Sequence, residues 1–221
     1  VAQLRKGLDV LAGLPDGPSR RQQELDLLIA LRAALAATKG WSDAEVGEAI
    51  ARARALAEEI GRPEHLVPLL YGQWQFHFVR SEHRLAVPLA EQIEKIGEAR
   101  NDTAVQLAGR RARGWTRCLL GEFVAARALL ERCHDLADPA HRAIGAGLTH
   151  DPYAAALANL AVTLAYLGYI DQARSRMDEA LSEARQLGHA FTLAFVLFWV
   201  NWLDSLTRSP DLQRHAEELL A

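Results

Sequence analysis

Small and large apolar residues are spaced most regularly in the segment Leu157–Leu181, and this spacing constrains the fold more than any other feature of the 221-residue sequence. Its apolar residues recur at intervals of three and four, the period of an α-helix, on both sides of Gly168. The short side chains of Ala161, Ala173 and Ala180 stand where two helix backbones can approach closely. The segment therefore predicts a tightly packed helix–turn–helix pair.

The spacing of the second helix recurs at five places, separated by 37 to 47 residues. The residues at the equivalent position are Ala49, Ala86, Ala126, Ala173 and Leu212. A helical pair of this kind cannot bury its apolar face alone, so about three or more must stack. We expect a single domain over 1–221, with pairs at roughly 20–61, 63–100, 102–137, 152–187 and 189–221. The connection Asp138–Asp151 is predicted to be a loop or to hold one helical turn.

The composition favours helices throughout the chain. Ala and Leu, two strong helix formers, occupy 39 and 35 positions, and no long stretch alternates with a period of two. Turn residues divide the chain into about eleven segments, and three of these begin with capping signals, at Ser42–Glu45, Asp151-Pro152 and Ser209-Pro210. The predicted fold class is all-α, with a plain helical bundle as the alternative to a stacked array.

The charge and the apolar runs narrow the class of partner. A net charge of −3 argues against a general binder of nucleic acid or of anionic membranes. The longest apolar run, Phe191–Trp202, is shorter than the roughly 18–20 residues of a membrane span. Cys118 and Cys133 form no disulfide framework, so we expect buried, inert thiols and a cytoplasmic location. Both ends of the chain lie inside helical patterns, so we expect a fragment of a larger protein.

The segment Leu157–Leu181 resembles the tetratricopeptide repeat (TPR), a helix–turn–helix unit of 34 residues. Counting Leu157 as repeat position 4 places Ala161 at position 8, Gly168 at 15, Ala173 at 20 and Ala180 at 27. The other units match mainly in their second helix, so the repeats are degenerate. The resemblance implies a right-handed, TPR-like α-solenoid of four to five repeats that binds a protein or peptide.

Several longer phrases resemble the repeat region that follows the nucleotidyl cyclase and AAA/STAND-type ATPase domains of bacterial multidomain signalling proteins. These phrases are Arg5–Pro15, Glu24–Trp41, Gly72–Arg84, Gly121–Leu130, His150–Ala173 and Leu187–Phe198. The resemblance implies a scaffold or sensor module that regulates an upstream ATPase or cyclase domain in signal transduction. Those domains of the same parent chain would then be among its partners.

The sequence contains none of the short motifs that would predict catalysis or a cofactor. The phosphate loop G-x-x-x-x-G-K-[ST], the elbow G-x-S-x-G and the pair H-E-x-x-H are all absent. The eight histidines lack metal-ligand spacing, because even His134 and the adjacent Cys133 diverge by about 100° on a helix. We therefore expect neither an enzyme nor a metal site in this chain.

An arginine stripe is the most distinctive polar feature. Arg110, Arg113 and Arg117 share one helical face, with Arg111 and Trp115 beside them. Such a stripe could receive carboxylates or phosphates by bidentate pairing, either from a protein partner or, alternatively, from a small anionic ligand sensed on the Arg110–Arg117 face. It could equally pair with glutamates of neighbouring segments. The candidates are Glu91, Glu94, Glu98 and Glu122.

Asn159 is a further candidate for partner binding. Chaperone-binding TPR proteins hold a peptide C-terminus in a carboxylate clamp, and Arg111 and Asn159 match two of its five positions. Asn159 could instead bond to a neighbouring backbone. Aromatic residues cluster around Trp74–Phe78 and Phe191–Trp202, where we expect most of them to be core. Where they are exposed on a terminal helix, they would permit a homodimer.

Overall fold

A computed structural model describes residues 1–137 and 150–220, and all regular structure in those ranges is helical. It comprises eleven α-helices and one 3₁₀ turn, in agreement with the number of segments predicted. The helices are α1 (Ala2–Ala12), α2 (Pro18–Lys39), α3 (Ala44–Glu59), α4 (Pro63–Val79), α5 (His83–Arg100), α6 (Thr103–Leu119), α7 (Phe123–Glu131), α8 (Pro152–Tyr166), α9 (Ile170–Leu187), α10 (Ala190–Thr207) and α11 (Leu212–Leu220), with the 3₁₀ turn at His134–Leu136. Of the predicted connection Asp138–Asp151, residues 138–149 lie outside the described residues.

The chain forms two compact units, Val1–Ala90 and Glu91–Ala221, with the boundary inside α5. In the first unit α2 contacts α1 and α3, and α3 contacts α4. The core there is built from leucines of α2 and α4 and small residues of α3. Its fully buried members include Leu25, Leu28, Ala53, Ala57 and Leu69. The predicted division into five repeats within one domain stays a prediction.

In the second unit, α8 is the central helix. It contacts α6, α7, α9 and α10, and every residue from Tyr153 to Ala165 is buried. Six of these 13 residues are alanines, so neighbouring helices reach the α8 backbone from several sides. The first helices of the successive pairs, α6, α8 and α10, therefore lie side by side.

The turns inside the pairs repeat the predicted geometry. Gly121 and Gly168 adopt φ of 81° and 84°, a left-handed conformation that only glycine enters without strain. In each turn the next amide donates back to a first-helix carbonyl, Glu122 to Arg117 at 3.0 Å and Tyr169 to Leu164 at 2.9 Å. Four of the five predicted anchors are buried small residues, whereas the fifth is a half-buried leucine, Leu212.

The helix caps predicted from the sequence agree only partly with those in the structure. Asp151 caps α8 as predicted, accepting from the Ala154 amide at 2.7 Å, with Pro152 in the first turn. At α3 the cap is Asp43 rather than Ser42, because the Asp43 carboxylate accepts from the Glu45 amide while the Glu45 carboxylate pairs with other side chains. At the chain end Ser209 accepts from the Asp211 amide, and α11 begins only at Leu212.

Helix α10 is longer than its apolar run indicated. It spans 18 residues with a mean hydropathy of 1.4, and among the described residues it alone is long and apolar enough to cross a membrane. Val196, Leu197, Val200 and Leu203 are buried, and the helix contacts α8, α9 and α11. Packing on three helices accounts for part of its apolar character, while only 28% of the helix is buried.

Candidate functional site

The arginine stripe of α6 is held by two glutamates of α5. Arg110 Nε donates to Glu94 Oε1 at 2.7 Å, and Arg113 Nη1 donates to Glu94 Oε2 at 2.9 Å. The side chains of Arg110 and Glu94 are only 8% and 7% exposed. Glu91 lies 3.7 Å from both Arg113 and Arg117. Glu94 thus uses both carboxylate oxygens on the stripe.

The last arginine of the stripe is also paired. Arg117 Nη1 donates to Glu122, the residue that precedes α7. Three of the four glutamates considered from sequence therefore face these guanidinium groups, and the first pair is buried rather than on the surface. The stripe joins α5 to α6, and its positive charge is balanced by protein carboxylates.

Arg111 points away from the stripe and is 1% exposed. Its Nη1 donates to Asn159 Oδ1 of α8 at 3.2 Å. Asn159 is fully buried, and its Nδ2 has no hydrogen-bond partner within the described ranges. Asn159 therefore bonds to a side chain of the preceding pair through its amide oxygen and keeps a buried donor unused.

Aromatic residues of α6 and α10 contact one another in the second unit. Trp115, 3% exposed, packs edge-on against Trp199 with ring centroids 4.9 Å apart. Phe198 lies against Trp199 at the same centroid distance, and Phe195 follows at 6.3 Å. The buried Trp199 Nε1 has no hydrogen-bond partner in the described part of the chain. The expectation that most aromatics of Phe191–Trp202 are core is wrong, because Phe191 and Phe198 are 55% and 54% exposed and the other aromatics of this run are only partly buried.

His150 joins these aromatic residues and was missed by sequence reasoning. Its ring stacks on Phe195 with centroids 4.3 Å apart and planes 5° from parallel. Burial, the positive charge of Arg111 and His189 together lower the pKa of His150 to about 3. The imidazole is therefore neutral at physiological pH. No sequence signal marks it, because Phe195 lies far along the chain.

We call these residues the first-helix face, since they lie on α6, α8 and α10 or directly before α8. They are Arg111, Trp115, His150, Asn159, Phe195, Phe198 and Trp199. The face combines one buried cation, two unused N–H donors and a row of aromatic rings. The structure thus brings three of the six predicted site residues together, namely Arg111, Trp115 and Asn159. It places Arg110, Arg113 and Arg117 on the side that packs on α5.

The cysteines show no activation. Cys118 and Cys133 are free and buried. Burial raises the pKa of Cys118, opposed by a hydrogen bond to Thr163, and it raises the pKa of Cys133 to about 12. Both thiols are therefore protonated at neutral pH and are poor nucleophiles. In the residues that the structure describes, no three His, Cys, Asp or Glu side chains are grouped so as to hold a metal ion.

The comparisons with known proteins agree on the fold. A family profile described as Anaphase-promoting complex subunit 5 matches residues 116–207, less than half of the chain. No curated protein matches the sequence. Two crystal structures of nearly identical TPR-like repeats, from a Podosopora anserina chain assigned as a kinesin light chain, are similar at 16% and 17% identity, with TM-scores of 0.56 and 0.54. Each similarity covers 93% of this chain and 95% of the other.

These matches and the helix–turn–helix pairs confirm the predicted class, an all-α solenoid of TPR-like repeats. The plain helical bundle considered from sequence is therefore rejected. Solved structures at this level of identity establish the fold alone. The bacterial cyclase and ATPase context stays a prediction.

Proposed function

We propose that this chain is a non-catalytic, cytoplasmic protein-binding module, and that the first-helix face receives an extended peptide segment carrying a carboxylate. One observation carries the proposal. The fully buried Asn159 amide keeps an unused donor beside the Arg111 guanidinium. A buried donor without a partner costs about 1–3 kcal/mol, which an acceptor from a partner would recover.

The neighbouring aromatics support the same role. Trp and Phe are enriched at the centres of protein interfaces, where they bury large apolar areas at low cost in side-chain entropy. Phe198 is more than half exposed and contacts Trp199, whose Nε1 is the second unused donor. A peptide would place an apolar side chain against the exposed ring of Phe198. Because Arg111 and Asn159 are 1% and 0% exposed, its carboxylate would reach them only when the surrounding side chains move apart.

The regulatory part of the proposal rests on the resemblance to bacterial signalling proteins. In that arrangement the repeats capture a partner and thereby change the activity of an upstream ATPase or nucleotidyl cyclase domain. The matched family profile is named for a subunit of a multiprotein complex, which accords with a scaffold. Deleting the repeats from the full-length parent should change its nucleotide turnover, and unchanged turnover with and without cell extract would reject this part.

A peptide-display selection tests the binding face directly. The chain should select peptides that combine a large apolar residue with Asp, Glu or a free C-terminus. Replacing the exposed Phe198 by Ser should weaken the selected peptides at least tenfold without loss of stability. Val124→Ser on α7 is the matched control, because Val124 is 76% exposed and lies outside the face.

Equal loss of binding in both variants, or selected peptides without acidic groups, would contradict the proposed mode.

The alternative of a small anionic ligand on the Arg110–Arg117 face has weaker support. Glu91, Glu94 and Glu122 already lie against those guanidinium groups.

A further inference from the structure

A cavity of about 570 Å³ lies among α7, α8 and α9, and Asn159 is not part of its lining. Its apolar lining comes mainly from four buried leucines, Leu130 of α7 and Leu157, Leu160 and Leu164 of α8. Polar residues of α9 and of the turn after α7 complete the lining. The volume falls in the range of sites that bind small molecules, about 300–1,000 Å³.

The wall formed by α7 is fixed by a contact with α6. Arg110 Nη1 donates to the carbonyl of Arg132, the residue that ends α7, at 3.2 Å. Glu94 of α5 holds the same guanidinium in a buried ion pair, so the hydrogen bond from Arg110 ties the end of α7 to α6. The α7 wall of the cavity is therefore held in place by this hydrogen bond.

Most polar groups around the cavity are already paired with one another. Tyr153 Oη lies 2.9 Å from His134 Nδ1 and donates to Glu179 Oε1 at 3.4 Å. Glu179 in turn accepts from Arg176 Nη1 at 2.6 Å. The rim residue Glu131 accepts from Arg127 Nε at 2.7 Å. These carboxylates are thus balanced by cations of the protein itself.

Asp171 differs from the other acids of the rim. It is exposed at the start of α9, lines the cavity, and has no hydrogen bond or ion pair with any described residue. A cavity with a wall of leucines and one unbalanced carboxylate in its lining is complementary to a molecule with an apolar body and a single positive charge.

We propose that this cavity binds small amphipathic monocations, with an aliphatic chain against the four leucines and an ammonium group on Asp171. The inference is independent of the peptide-binding proposal, since no residue of the first-helix face lines the cavity. A ligand here would contact α7, α8 and α9 together.

Calorimetric titration with n-octylammonium and n-octanoate at pH 7 tests the proposal. The ammonium should bind at least tenfold more tightly than the carboxylate of equal chain length, because only the ammonium pairs with Asp171. Asp171→Asn should reduce the preference for the ammonium several-fold while leaving the fold unchanged, since Asp171 is exposed.

A variant that closes the cavity gives a second, independent readout. Ser175 is exposed on α9 and lines the cavity, so Ser175→Trp should abolish binding of n-octylammonium. Ser182→Trp is the matched control, on the same helix but outside the cavity lining. Equal binding of the two probes, or undiminished binding by Ser175→Trp, would overturn the proposal. If Ser175→Trp does not fold, the Asp171→Asn comparison decides the outcome alone.

Discussion

Arg110 and Arg111 are adjacent in sequence but have different partners. Neighbouring positions on a helix diverge by about 100°, so Arg110 reaches a carboxylate of α5 while Arg111 reaches an amide of α8. The sequence predicted a cationic stripe and identified Glu94 as one possible partner. It could not separate the two roles, because burial of each guanidinium depends on helices distant in the chain.

The buried pair between Arg110 and Glu94 yields a prediction for stability. Glu94→Ala removes both carboxylate oxygens from the stripe and leaves Arg110 buried without its counter-charge. We expect a loss of about 3–5 kcal/mol in the free energy of unfolding, measured by urea denaturation.

The exposed pair between Arg127 and Glu131 supplies the control. The side chains of Arg127 and Glu131 are 32% and 47% exposed. Glu131→Ala should therefore cost less than about 1 kcal/mol. Similar losses for Glu94→Ala and Glu131→Ala would show that the buried pair contributes no more than a surface one.

His150 gives a prediction for the dependence of stability on pH. Its pKa is about 3 in the folded chain against an ordinary value near 6.5, so the unfolded chain binds the extra proton between these values. Its contribution to stability is complete above about pH 6.5 and is lost as the pH falls towards 3. The loss should be about 1.4 kcal/mol per pH unit.

The variant His150→Phe isolates this effect, because it keeps a ring against Phe195 and cannot titrate. Urea denaturation at several pH values between 6.5 and 4.5 should show a steeper loss for the wild type than for the variant. Parallel slopes would mean that the imidazole has the same pKa in the folded and the unfolded chain.

Helices α5 and α6 approach each other through two glycines. A Cβ atom on Gly109 would lie 2.4 Å from the amide nitrogen of Glu94, and one on Gly97 would lie 2.4 Å from that of Gln106. Both contacts are with backbone, which cannot move aside as a side chain can. This close approach of α5 and α6 brings the Arg110 guanidinium within hydrogen-bond distance of the Glu94 carboxylate.

Gly109→Ala should therefore destabilise the chain although alanine favours helices. Overpacking of this kind costs about 1–3 kcal/mol, and here the two helices must separate to accept the new methyl group. Thermal and urea denaturation measure the loss. Gly17→Ala is the control, since its backbone is extended and a Cβ there meets nothing within 4 Å. A neutral Gly109→Ala would show that the α5–α6 contact is adaptable.

Element boundaries followed from sequence where a turn residue or cap marks them. Gly121 and Gly168 were placed correctly because glycine adopts the left-handed turn conformation most readily, whereas the equivalent turn at Ser81 carries no such signal. The end of α7 was not predicted, because no glycine or proline stands near Arg132 and the stop coincides with a hydrogen bond from Arg110. Likewise, Ser42 and Asp43 are equally suitable caps by residue type, and only the local geometry selects Asp43.

For the whole molecule, repeated small residues predicted the TPR-like class correctly. Only part of the first-helix face was predicted from the sequence. Trp115 and Asn159 were named from repeat positions, whereas His150 joins them only through stacking on a helix distant in sequence. The cavity beside α8 was not predicted, since it depends on where three helices leave space and not on any local pattern.

The central claim is that the first-helix face of α6, α8 and α10 holds a peptide. Hydrogen–deuterium exchange of the chain with and without a selected acidic peptide tests it most directly. We predict slower exchange in the peptides that cover Arg111–Trp115, His150–Asn159 and Phe195–Trp199, with α3 unchanged. Protection confined to α7 and α9, or to helices of the first unit, would contradict the account.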